Sequence, residues 1–105
     1  MAITTVYTFH VGLNTNGSPD FVDRNRASLL RILDNRHSVG YTFVEGTGSY
    51  KGETEPTILV SVACDDPRNF DFEAAYVRQT AVLIKEALQQ EAVWVTRTAV
   101  DLVIV

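Results

Sequence analysis

The sequence predicts an α+β fold in which an antiparallel sheet carries two helices on one of its faces. Three observations predict it. Two segments place apolar residues at steps of three and four, the helical period. Four segments are rich in Val, Ile, Tyr, Phe and Thr, the residues that suit a pleated surface. These segments follow one another as β-α-β-β-α-β along 105 residues, a length that suits one domain spanning 1–105.

The elements follow in order. Ile3 to Leu13 is a strand in which Val6, Thr8 and His10 point one way and Tyr7, Phe9 and Val11 the other. Asn14 to Asp20 is a loop by its Asn, Gly, Ser and Pro. Phe21 to His37 is an amphipathic helix with Val22, Leu29, Leu30 and Leu33 on its apolar side, closing before Gly40. Gly40 to Gly46 is a second strand and Pro56 to Cys64 a third. The run Asp65 to Asp71 breaks the third strand, and Phe72 to Gln90 forms a second helix with Ala74, Val77, Ala81, Ile84 and Leu88 in one stripe. Ala92 to Thr98 is a fourth strand, and Asp101 to Val105 is a short fifth strand or the end of the fourth. This order is that of the ferredoxin-like plait, with a possible extra strand at the C-terminus.

In such a plait the helices leave one sheet face uncovered. Apolar residues occur on both parities of the strands, at Ile58 to Val60, Val93 to Val95 and Leu102 to Val105. A one-sided sheet alternates more cleanly, so the second face is expected to be buried in an oligomer.

The formal net charge is -4, from 9 basic and 13 acidic residues. That argues against nucleic acid as the main partner, since phosphate neutralisation needs clustered Lys and Arg. Cys64 is the one cysteine, so no internal disulfide forms, and no Cys/His cluster has zinc spacing. The N-terminal MAITTVYTF lacks a basic region ahead of a long apolar stretch, and no apolar run approaches the roughly 20 residues of a membrane helix. A soluble, cytoplasmic protein without membrane contact is the expectation.

The stretch VEGTGSYKGETEPTILV, residues 44–60, stands out. It reads as a long connection between the second and third strands, where hairpins normally close with two to five residues. Gly46, Gly48 and Gly52 shape its backbone, Pro56 opens the next strand, and Tyr50, Lys51, Glu53 and Glu55 fill it, with Glu45 just before. Neighbouring carboxylates repel, which calls for a reason beyond a solvated turn. It is not a phosphate loop, because no Gly-Lys-Ser/Thr follows and no Gly-x-Gly-x-x-Gly opens a helix. The other polar residues read as structural: His10 in mid-strand, His37 at a helix end, Cys64 as a small core residue, Asp65 and Asp66 at a turn, and Arg78 and Lys85 in solvent.

The stretch resembles the phage S-adenosylmethionine-degrading enzymes, hydrolases in older usage and now described as lyases. Their pattern of a Thr-Gly-x-Tyr turn, an acidic loop and a Glu two residues before a strand-opening Thr is matched by Thr47, Gly48, Tyr50 and then Glu55-Pro56-Thr57-Ile58. QQEAVWVTRT is similar to the family's Gln-Asp/Glu-x-Val-x-Val strand entry, and the likeness spans roughly residues 5 to 105.

The resemblance implies a lyase that needs neither cofactor nor metal, with its site between the subunits of a homotrimer, and a phage anti-restriction role in the host cytoplasm. The substrate's own carboxylate displaces its sulfur, giving methylthioadenosine and homoserine lactone. Tyr50 and Glu55 would be the catalytic residues, Tyr50 at the amino-acid end or the sulfonium and Glu55 at the ammonium, with Glu53 the alternative. Gly46, Thr47, Gly48 and Ser49 would contact the rest of the substrate. A different reading is a non-enzymatic, nucleotide- or metabolite-binding trimer of the PII type, which shares the plait and a long loop between strands two and three.

Overall fold

The computed structural model describes the backbone of residues 2–64 and 70–102 and the side chains of 4–49, 51–64 and 72–101. Strands β1 (Ala2–Gly12), β2 (Thr42–Tyr50), β3 (Glu53–Cys64) and β4 (Trp94–Leu102) form one antiparallel sheet in the order β2-β3-β1-β4. Helices α1 (Val22–Arg36) and α2 (Phe70–Leu88) connect β1 to β2 and β3 to β4. This is the ferredoxin-like plait that the sequence predicts. Among the described residues no helix is long and apolar enough to cross a membrane.

The core lies between the helices and one sheet face. Tyr7, Phe9 and Val11 of β1 and Ile58, Val60 and Val62 of β3 meet Leu29 and Leu33 of α1 and Val77, Ala81, Ile84 and Leu88 of α2. The period of two in the strands and of three to four in the helices is thus one feature seen from two sides of the same core. The predicted stripes occupy the predicted faces, with Val22, Leu30 and Ala74 half-buried at the rim.

The predicted long connection is absent. β2 runs on through Gly46, Thr47, Gly48 and Ser49 to Tyr50, and β3 starts at Glu53, so a two-residue turn closes the hairpin. Lys51 and Gly52 both have positive φ, 50° and 80°, as a two-residue hairpin turn matched to strand twist requires. Pro56 therefore sits inside β3, opposite Thr47. A strand residue's N–H and C=O point to the same neighbour. The carbonyl of Pro56 accepts from Leu13 N–H at 2.9 Å. Leu13 lies just past the last residue of β1, so the donor that proline lacks falls beyond the end of that ladder.

Other boundaries shift for identifiable reasons. α2 stops at Leu88, not Gln90, because Gln89 turns left-handed at φ 52°. The N–H of Gln90 then donates to Lys85 O and that of Gln89 to Glu86 O, a paired closure of the helix end. Asp101 and Leu102 continue β4 and do not begin a fifth strand. Asp65, Asp66 and Val103 to Val105 lie outside the described residues. In the predicted loop after β1, Asn16 and Gly17 form a second tight turn, with Thr15 and Ser18 exchanging backbone hydrogen bonds at 3.1 and 2.8 Å.

Two polar clusters fix the helices. Asn25 of α1 is fully buried, and its amide nitrogen donates to Leu13 O at 2.7 Å and Thr15 Oγ1 at 2.8 Å. The Thr15 hydroxyl donates onward to Leu88 O at 3.0 Å, so one side chain joins α1, the end of β1 and the end of α2. Between the helices, Arg36 Nε and His37 Nε2 lie 3.0 and 3.1 Å from Thr80 Oγ1, whose proton goes to Tyr76 O at 3.1 Å. The Thr80 oxygen is then an acceptor for His37 Nε2–H, so the neutral imidazole is protonated on Nε2. Burial, and secondarily the Arg36 charge beside it, pushes the His37 pKa below its ordinary 6.5.

Replacing Asn25 with Ala strands the Leu13 carbonyl and the Thr15 hydroxyl, and should lower unfolding free energy by about 2–4 kcal/mol in a urea titration. An unchanged midpoint contradicts the bridging role. The depressed pKa of His37 means that the unfolded chain binds the extra proton more readily than the fold does. Its contribution is therefore fully present above pH 6.5 and lost as pH falls through the lower folded value. Thermal midpoints should drop on acidification through this window, and less so in His37→Gln.

Candidate functional site

The open face of the sheet reads directly from the register. His10 pairs with Trp94 on β4 and with Leu59 on β3, and Leu59 pairs with Val44 on β2. These four residues form one row, in which Trp94 is 64% and Val44 58% exposed. The neighbouring row is Thr96, Thr8, Ser61 and Thr42. Thr8 Oγ1 lies 3.3 Å from Ser61 Oγ, and His10 Nε2 lies 3.3 Å from Thr96 Oγ1. The face thus mixes apolar residues, Val44, Leu59 and Trp94 at one end and Val6 opposite Ala63 further along, with a row of hydroxyls between them. It is less apolar than the strand composition suggests, because Ile58, Val60 and Val62 all share the core-facing parity.

Beyond the end of β1 the β2–β3 hairpin continues as a two-stranded arm. A groove of about 580 Å3 lies where this arm, the Asn16–Gly17 turn and the α2–β4 connection converge. Among its lining residues are His10, Asn14, Glu53, Glu55, Gln90 and Trp94. Of the sequence-predicted site residues, Gly48, Ser49, Glu53 and Glu55 line it. Gly46 and Thr47 do not line it; Thr47 has the strand parity of Glu45, which pairs with Arg26 of α1 on the other side of the hairpin. Tyr50 ends β2 opposite Glu53, and its side chain lies outside the described residues.

Glu55 is the best-held carboxylate of the groove. Its Oε2 accepts from the backbone N–H of Asn14 at 3.1 Å. Its carboxyl group lies directly over Gly12, where an added Cβ would sit 2.6 Å from Cδ and 2.8 Å from Oε2. Gly12 is therefore the residue that lets the carboxylate lie down on β1. Gly48, opposite Glu55, leaves similar room for Thr57, whose Oγ1 and Cβ would both crowd a side chain there. Asn14 is held in turn by Gln90 Nε2, which donates to its carbonyl. Glu53 makes no hydrogen bond or ion pair among the described residues. Lys51 Nζ stands 3.5 Å from Glu91 Oε2, joining the hairpin turn to the entry of β4. Both groups are well exposed, so this pair contributes little to stability.

The site therefore offers one fixed carboxylate, one unpaired carboxylate and a third, paired one, with an exposed indole and an imidazole on the sheet beside them. That donor set suits a cationic ligand with an apolar or aromatic portion. Gln90, Glu91, His10, Asn14 and Trp94 join the site without having been singled out as site residues from the sequence. QQEAVW could have signalled part of it, because its two Gln and its Glu interrupt an apolar pattern at a helix end.

Two solved structures of a phage SAM lyase have a similar fold. One, in complex with S-methyl-5'-thioadenosine, superposes with TM-score 0.67 at 19% identity, covering 90% of this chain and 80% of the other. The second, in the apo state, gives TM-score 0.63 at 21% identity, covering 90% and 79%. A de novo designed protein, Foldit4, gives TM-score 0.50 at 18% identity, covering 91% and 94%. No family model and no curated protein sequence matches the chain. At these identities the likeness establishes a shared plait, and a designed protein shares it too, so function is argued from the groove.

Gly12→Ala should keep the fold, because the group it displaces is the far end of the Glu55 side chain and not backbone. The expected result is faster hydrogen exchange at the Asn14 amide with unfolding free energy changed by less than about 1 kcal/mol. Unaltered exchange would show that the Glu55 carboxylate is not seated on Gly12.

Proposed function

We propose that the protein is a lyase acting on S-adenosylmethionine, with the groove at the end of the sheet as its site. The observation that carries the reading is the clamped Glu55 carboxylate, between Asn14 N–H and Gly12, in a groove that also holds Glu53. S-adenosylmethionine carries an ammonium and a sulfonium at the end that such carboxylates would hold. The phage lyases with a similar fold, one of them holding S-methyl-5'-thioadenosine, support the same reading.

The proposed chemistry is an internal displacement. A lone pair of the substrate carboxylate forms a bond to Cγ, and the Cγ–S bond breaks with its electron pair going to sulfur. The sulfonium becomes the neutral thioether of methylthioadenosine, and the remaining atoms close as homoserine lactone. No proton moves, so the reaction asks the protein for neither acid nor base. It asks for a folded substrate whose carboxylate lies behind Cγ, in line with the departing sulfur.

Glu55 would hold the ammonium and so set the direction of the amino-acid end, with Glu53 adding negative potential. Tyr50, at the end of β2 opposite Glu53, would complete the amino-acid end. Gly46, Thr47, Gly48 and Ser49 belong to the same arm, of which Gly48 and Ser49 line the groove and serve as substrate contacts. The apolar pair of Val44 and Leu59 on the open face supports its closure by further copies of the chain, a homotrimer in this reading, acting in the cytoplasm of a phage-infected host as an anti-restriction enzyme.

Incubation with S-adenosylmethionine should yield methylthioadenosine, read by chromatography. Glu55→Gln should lower kcat/KM by about tenfold to a hundredfold, the worth of one charged hydrogen bond. Tyr50→Phe should fall similarly while light scattering shows the assembly intact. Full activity in both variants contradicts the site. Binding of an adenine nucleoside without product would favour the non-enzymatic nucleotide-binding reading.

A further inference from the structure

The groove has two unlike ends. One carries Glu53 and Glu55, and the other carries Trp94 beside His10. Trp94 is paired with His10, His10 with Leu59, and Glu55 stands four residues before Leu59 on β3. Four residues at about 3.3 Å and two strand spacings of about 4.8 Å separate the two backbones by roughly 16 Å. That span suits an extended ligand with a cationic group at one end and a flat ring at the other.

Among the described residues, Trp94 belongs neither to the core nor to the side chains packed against it. Its strand neighbours Val93 and Val95 have the opposite parity and border the apolar cleft against α2, with Ala74, Val77 and Ala81. Trp94 alone turns to the open face, 64% exposed, among Thr8, Thr96 and His10. An indole this exposed beside a row of hydroxyls offers a π surface, and flat heterocycles stack on such surfaces.

We infer that Trp94 is the stacking platform for the adenine ring, and that the substrate lies along the groove with its adenosyl end at Trp94 and its ammonium at Glu55. This inference rests on the S-adenosylmethionine reading and adds an orientation and a specificity residue to it.

The sequence contains one tryptophan, so indole fluorescence reports on this residue alone. S-methyl-5'-thioadenosine, which has the ring but no ammonium, should quench the emission saturably in the wild-type protein. S-methylmethionine, which has the sulfonium and ammonium but no ring, should bind without that quenching. By calorimetry, Trp94→Leu should bind S-methyl-5'-thioadenosine about tenfold more weakly. Trp94→Tyr should stay within about threefold of wild type, because it keeps an aromatic face. S-methylmethionine affinity should be unchanged in both variants and should fall in Glu55→Gln.

Three results overturn the inference while leaving the lyase reading intact. One is nucleoside binding with unaltered emission. Another is equal nucleoside affinity in the Leu variant. The third is a Leu variant that dissociates in light scattering and loses both ligands alike, which makes Trp94 an assembly residue. A wild-type protein that neither binds S-methyl-5'-thioadenosine nor converts S-adenosylmethionine overturns both.

Discussion

A single buried amide organises the end of the molecule that carries the groove. Asn25 reaches from α1 to Leu13 O and Thr15 Oγ1, and Thr15 passes the link to the last carbonyl of α2. Residue 14, between those two anchors, has little freedom. Its N–H is therefore presented to Glu55 and its carbonyl to Gln90. A carboxylate on β3 and an amide beyond α2 are thus set by a polar residue on a helix that does not line the groove. Buried polar networks of this kind are costly when half satisfied, and here both described acceptors are engaged.

The plait was legible in the sequence because each core stripe obeys its own period. Tyr7, Phe9 and Val11 alternate, and Val77, Ala81, Ile84 and Leu88 step by three and four. The hairpin reads as a long loop in the sequence because its residues carry loop chemistry for another purpose. Gly48 and Gly12 sit in regular strands and make room for Thr57 and Glu55, a requirement that arises between strands and leaves no local mark. Pro56 read as a strand start because its missing N–H is harmless only given where β1 ends, which the local sequence does not show. Glu53 and Glu55, expected from the sequence as site residues, line the groove, whereas the contributions of β1 and of the α2–β4 connection come from register alone.

The extended hairpin also changes what the acids mean. On a floppy loop, several carboxylates would separate and solvate. On a two-stranded arm, Glu53 and Glu55 share a parity and stay two residues apart on one face. The arm therefore holds negative charge at a fixed place beside the hydroxyls of Thr8, Ser61 and Thr96 on the open face. An internal displacement on a sulfonium substrate needs that kind of site: a fixed point for a cation, a surface for a ring, and backbone close enough to fold the substrate between them.

The most direct measurement is the fate of solvent oxygen. With S-adenosylmethionine turned over in water enriched in oxygen-18, carboxylate attack on Cγ leaves substrate oxygen on that carbon. Any later opening of the lactone at its carbonyl places the label in the carboxyl group. The account predicts methylthioadenosine together with unlabelled γ-oxygen in lactone and homoserine alike. Label on the γ-hydroxyl would show direct attack by water, and would contradict a site that works only by folding its substrate.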